Sequence, residues 1–280
     1  MKEGLVLLAE LINLNIARFG VSETLQVPFE EGLPGVYAYV HDVLQIVTMP
    51  VAYVLLALFF LLELNRVAIR IEAAGASQMG AEAAIKTLFK TAFYKMFLES
   101  VPIVLKGVYA LSAHVTTGIS GVLAKHSSHE FAPVDAIEES VLEVAFGYQF
   151  WALAVIFLMM MFCLLASYFA LFASKAIVTF RWIEIYIFYA IAPIPLAGMI
   201  EPEFAQTSKA FLKTFASKCF QGAVLFLVVS IFPAIFRAVL AESFLDNSVT
   251  TGVVTIAVYS VVLCYCVFSS NKWSRAIFGI

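Results

Sequence analysis

Few residues in this chain have the types and spacing that chemistry needs, and most are ionisable side chains set in apolar runs. Arg181 and Glu184 stand three residues apart, close enough to pair along a helix. Glu99 and Lys106 are separated by two helical turns and share one face. His126, His129 and Glu130 are metal-binding types, but the order His126-Ser127-Ser128-His129-Glu130 is not the His-Glu-x-x-His spacing that sets two ligands and a base on one turn. The four cysteines, Cys163, Cys219, Cys264 and Cys266, fall inside apolar runs and read as small core hydrophobes. The sequence contains no Gly-rich phosphate loop, no Gly-x-Ser-x-Gly and no plausible triad. It therefore reads as a non-enzyme with no cofactor and no metal site.

The elements that must position these residues follow from composition. Of 280 residues, 62% are hydrophobic and 13% charged, with a mean hydropathy of +0.94. A soluble domain carries roughly 45–50% apolar and about 25% charged residues. Too little polar surface remains to cover a water-soluble globule, so lipid must be the main solvent. The 26 Phe, 11 Tyr and 3 Trp suit lipid-facing and interfacial positions. The fold class expected is all-α: a polytopic membrane protein of about five transmembrane helices.

Along the chain, residues 1–20 have the spacing of an interfacial amphipathic helix, with Leu5, Leu8, Ile12, Ile16 and Phe19 on one face. A turn-rich linker, Val27 to Gly35, follows. Spans are expected at 43–64, 97–122, 144–173, 219–240 and 249–268. Beyond the first, Glu63, Arg66 and Arg70 share a helical face. Glu99 and Lys106 in the second span require one of its sides to turn away from lipid. The loop from about 124 to 143 is acidic. Residues 203–218 read as a second amphipathic helix, with Lys209 and Lys213 on its polar face as lipid-surface anchors.

The stretch 177–200 is apolar enough to cross, yet it holds Arg181, Glu184, Pro193 and Pro195. Its prolines break backbone pairing, which hydrocarbon does not tolerate, so it is either a re-entrant hairpin or a kinked sixth span, and other protein must shield it. If it crosses, Lys and Arg divide evenly between the two sides. If it does not, only Lys2, Arg18, Lys125 and Arg237 lie outside, which restores the positive-inside bias. The N-terminus is then outside and the C-terminus inside. Glu99, Lys106, Arg181, Glu184, Pro193, Pro195, Lys209, Lys213 and Gln221 are the candidate channel or subunit-contact residues.

From Phe188 to Phe232 the order is an apolar run ending in Ala192-Pro193-Ile194-Pro195-Leu196-Ala197, an amphipathic helix from Gln206 to Phe215, and a span opening on Phe220-Gln221-Gly222. This resembles the TrbL-type polytopic subunit of conjugation and type IV secretion machines. The resemblance implies a subunit of the cytoplasmic (inner) membrane of a bacterium that works without turnover. Its cargo would be single-stranded DNA with its attached relaxase, or protein, and separate cytoplasmic ATPases would supply energy. Other secretion-channel subunits, membrane lipid and further copies of the chain are the partners it implies. The Ala-Pro-Ile-Pro wording leans towards a Gram-positive conjugative element. A small-solute transporter or channel is the alternative, but only one broken segment is present and no second one matches it.

Overall fold

The computed structural model describes residues 27–74, 79–126, 150–245 and 249–280, together with Leu7 and Leu11. The expected amphipathic helix at 1–20, most of the acidic loop and the first residues of the span 144–173 lie outside the described residues. Among the described residues, every regular element is helical. In chain order these are α1 (Pro34–Asp42), a π-helical stretch (Val43–Thr48), α2 (Met49–Ala74), α3 (Met79–His126), α4 (Phe150–Ile191), α5 (Pro193–Ala197), a 3-10 turn (Gly198–Ile200), α6 (Pro202–Leu245) and α7 (Val249–Ile277).

Three stretches are long and apolar enough to cross a membrane: Pro34–Ile69, Glu82–Lys125 and Pro202–Phe232. A fourth is a bent pair, Phe172–Ile191 with Pro193–Ile200. The helices are longer than the spans expected from the sequence. The Lys-rich stretch before Phe97 runs into the second span within α3, the third span continues without a break to Ile191 within α4, and the amphipathic helix 203–218 is continuous with the next span in α6. The junctions explain this. Lys95-Met96, Ala173-Ser174-Lys175-Ala176 and Lys218-Cys219 change polarity but contain neither Pro nor Gly, so helix propensity carries through. At 1.5 Å per residue, the 48 residues of α3 are far longer than a hydrocarbon core of about 30 Å.

The helices contribute to two compact units. One comprises Pro28–Ser112, Trp182–Phe220 and Ser274–Ile280; the other draws on Ala113–Arg181 and Gln221–Trp273. The second unit buries Met160, Phe226, Phe232, Leu263 and Val267. The first unit holds the proline-broken segment.

There α4 ends at Ile191 and α5 leaves it at a bend of 42°. Pro193 and Pro195 lack the N–H groups that would bond the carbonyls four residues back, and their rings crowd those carbonyls. A 42° bend is a kink rather than a reversal. The reversal comes later, at Glu201 and Pro202, after which α6 runs back along α4. Phe188 therefore meets Phe211 at 5.6 Å between ring centroids, and Glu184 meets Lys218. Residues Trp182–Ile200 and Pro202–Phe220 thus form a helical hairpin whose first arm is kinked. The arm is buried at Ala192, Pro193, Leu196 and Ala197, and α2 packs along α5.

Two hydroxyls from neighbouring helical turns serve its backbone. Thr48 Oγ1 lies 2.7 Å from the carbonyl oxygen of Ala190, at the bend, and 2.9 Å from that of Leu44 in its own helix. Ser208 Oγ donates to the carbonyl of Pro195 at 2.6 Å. Two further hydroxyls bond across elements of the same unit, Ser112 to the carbonyl of Cys219 at 2.6 Å and Ser274 to that of Ser217 at 2.5 Å. Replacing Thr48 by Val keeps the shape and removes the donor. Thr48→Val should lose about 1–2 kcal/mol of stability in equilibrium unfolding from mixed micelles, with Thr48→Ser close to wild type. Equal stability of the Val variant and wild type would show that the Ala190 carbonyl does not depend on Thr48.

Candidate functional site

The hairpin is assembled from residues far apart in sequence, and charge holds both its tip and its arms. At the tip, Glu201 is only 2% exposed, and its carboxylate lies 2.5 Å from Arg66 Nη1. Arg66 also reaches Glu63 at 3.4 Å, one turn back on α2, and Glu203 at 3.3 Å in the first turn of α6. Lys90 of α3 binds the other oxygen of Glu63 at 3.2 Å. The face of Glu63 and Arg66 expected from spacing is therefore real, and its target is the hairpin tip. A buried carboxylate is costly unless paired, so Arg66 is what permits Glu201 to sit there. Glu203 in the first helical turn adds a favourable interaction with the helix dipole.

Between the arms, Lys218 Nζ takes both oxygens of Glu184, at 2.7 and 2.8 Å. The Lys218 side chain is 6% exposed and that of Glu184 24%. Spacing along one helix offered Arg181 as the partner of Glu184. The lysine that serves it comes from the opposite arm and was not among the candidate residues. The available signal was its position, at the seam where the amphipathic helix becomes apolar. Lys209 and Lys213, by contrast, point outward and are exposed.

Arg181 and Gln221 belong to the second unit. Arg181 is 2% exposed, and its guanidinium occupies the space beside Gly222 that any side chain there would fill. This explains the glycine in Phe220-Gln221-Gly222: it is a seat for an arginine. Gln221 is 5% exposed and buries its carbonyl oxygen without a hydrogen-bond partner among the described residues.

Lys106 is satisfied by the linker that precedes α1. Glu30 accepts from it at 2.6 Å, and the ammonium also lies 5.2 Å from the centre of the Tyr37 ring. The hydrogen bond from Lys106, and then its charge, hold the Glu30 carboxyl below the usual carboxylate range. Beside this pair Phe29 is buried among the rings of Tyr37, Tyr109, Tyr186 and Tyr189, at 5.1 to 5.7 Å. Tyr186 donates to the carbonyl of Phe29 at 3.0 Å and accepts from the amide of Leu33 at 3.2 Å. Gly32 lies against the Trp182 indole so closely that no side chain would fit. What reads in sequence as a turn-rich linker is a strap pinned into the unit. Glu99, the other ionisable residue of that face, stays apart from all of this, with Lys95 at 3.9 Å.

The family model of the TrbL/VirB6 plasmid conjugal transfer like protein matches residues 7–193. The chain belongs to this family. The match takes in α1 to α4 and ends on Pro193, so it covers only the first residues of the stretch whose order suggested the resemblance. No curated protein and no solved structure matches the chain. As a TrbL/VirB6 family member with long apolar helices, the chain is a membrane component of conjugal transfer and type IV secretion.

The arms give a direct test. Lys218→Met leaves Glu184 without its cation in a mostly apolar contact and should cost about 2–3 kcal/mol in equilibrium unfolding. Removing both charges, Glu184→Gln with Lys218→Met, should recover most of that loss. A double variant no better than the sum of its parts would mean that the two residues do not act as a pair.

Proposed function

We propose that the chain is a membrane-embedded channel or scaffold subunit of a conjugative type IV secretion apparatus, helping single-stranded DNA with its bound protein to cross the cytoplasmic membrane. The observation that carries this reading is the family match over residues 7–193 on a chain whose described helices are long and apolar. In this reading the chain crosses about five times, with its N-terminus outside and its C-terminus inside. Arg66 and Lys90 then lie on the cytoplasmic side, as positive-inside bias requires. The chain works as a homo-oligomer beside other secretion-channel subunits, and cytoplasmic ATPases supply the energy.

The kinked hairpin suits such a role. Its tip is tied to α2 and α3 by Arg66, Glu63 and Lys90, and its arms by Glu184 and Lys218. Irregular backbone at membrane depth is tolerated where protein or a water-filled cavity surrounds it, and that is where conduits are built. Arg181 and Gln221, buried and polar, are further residues that a path would use.

In-frame deletion of the gene from a marked conjugative element should abolish transfer while growth and small-solute uptake stay normal. Supplying the gene in trans should restore transfer. Normal transfer with altered uptake would remove this reading and put a small-solute transporter in its place. DNA crosslinked to the chain in active donors would mark a conduit; its absence beside lost transfer would mark a scaffold.

A further inference from the structure

Three helices of the first unit are weakened at one level. The first apolar helix carries the π-helical stretch Val43–Thr48, whose backbone bonds run to the fifth residue rather than the fourth. The α4 helix gives way to α5 at the bend before Pro193. The α3 helix holds Pro102, which is buried and lacks the amide that would bond the carbonyl of Leu98. The first two sites touch: α5 packs against the π-helical stretch, and Thr48 meets the carbonyl of Ala190. The third stands level with them. α2 and α3 run antiparallel, with Glu63 meeting Lys90, and with Tyr53 and Glu99 lining one groove. Thr48 precedes Tyr53 on one helix and Pro102 follows Glu99 on the other, so the two stand within about one helical turn in height. At this level α6 has neither Pro nor Gly and runs through unbroken.

On either side of the level the same helices are clamped to one another. At the strap end, Glu30 holds Lys106 of α3, Tyr186 of α4 holds the strap backbone, and His41 Nδ1 lies 3.1 Å from the Tyr189 hydroxyl. At the tip end, Arg66 holds Glu201, Glu63 holds Lys90, and the rings of Phe59 and Phe204 meet at 5.1 Å. We propose that the level between them is a hinge. The strap end and the tip end are two rigid groups of helix segments that tilt against one another about the π-helical stretch, Pro102 and Pro193, with α6 as the unbroken spine. Helices bend at prolines and at π turns, and a hinge needs only a few residues that absorb the change in backbone angles. Each break alone weakens its helix; three at one height, between two sets of clamps, are what a hinge requires. Thr48 suits the centre of it. Its hydroxyl has one proton and two acceptors in reach, the carbonyl of Leu44 in its own π turn and that of Ala190 at the bend. The hydroxyl therefore stays bonded as the angle changes.

The test uses spin labels on the full chain in lipid discs, with its four native cysteines replaced by alanine, and does not depend on DNA transfer. Tyr39, Leu62, Leu88 and Leu111 are exposed and are replaced by Cys in pairs. Tyr39→Cys with Leu111→Cys lies within the strap end, and Leu62→Cys with Leu88→Cys within the tip end. Tyr39→Cys with Leu62→Cys crosses the π-helical stretch, and Leu88→Cys with Leu111→Cys crosses Pro102, each over about 34 Å of helix. Distances from pulsed electron–electron resonance should be narrowly distributed within each end and about twice as broad across the hinge. Deleting Ile46, an exposed residue, lets the π stretch close as an α-helix without turning its flanks, since a π turn holds about one residue more. Pro102→Ala restores the bond to Leu98. Together the two changes should narrow both crossing distributions to the width seen within the ends, and Pro102→Ala alone should narrow the one across Pro102. The distances within the ends report the fold of every variant. Crossing distributions as narrow as those within the ends in the unrepaired chain would overturn the proposal, as would breadth that survives the repair of both breaks.

Discussion

Pro193 and Pro195 remove two amide donors from a segment that is buried and apolar, where water does not replace them. Their rings also bend the segment, and hydroxyls of the first unit meet carbonyls at and beyond the bend. The bend turns the carbonyl of Ala190 towards the π-helical stretch of the first apolar helix, where Thr48 stands. The carbonyl of Pro195 meets Ser208 on the returning arm. A hydroxyl is well suited to this work: it is small enough to leave helices close together, and it carries a donor of its own. The kink can exist only where α2 and α6 are already packed against it, which makes the hairpin a tertiary feature rather than a local one.

The charged residues obey the same rule in a different form. Glu201, Glu184 and Lys106 are answered by Arg66, Lys218 and Glu30, each from another part of the chain. These contacts fix the reversal, the arms and the strap. They add specificity more than stability, since a buried pair recovers little beyond its own desolvation. Their value is that they define one register for helices whose apolar faces alone would permit several.

Composition was enough to read an all-helical membrane chain, because hydrophobic excess on this scale has few other solutions. The helix joins were less legible: polarity changes at Lys95, Lys175 and Lys218 suggest boundaries, but with no Pro or Gly to break it the helix runs on. Partners across the fold were not legible at all. Glu184 has a helical neighbour in sequence and, in space, a lysine from the other arm, and Phe29 sits in a linker whose turn residues say nothing about the rings around it. Lys106 asks for a partner by its place in an apolar run, and that partner, Glu30, lies in a strap 76 positions earlier. Gly222 shows the limit in another way. Its place in a motif was visible, while its reason, the guanidinium of Arg181, needed the packed structure.

Amide hydrogen exchange of the full chain in lipid discs, read on the peptide that covers residues 192–200, tests the central claim most directly. If the kinked arm is held inside protein, its amides exchange as slowly as those of the adjoining helix of α6 from Phe215 to Cys219, which is equally buried. Exchange as fast as that of an open loop would contradict the account, because the broken backbone would then be exposed to water rather than served by its neighbours.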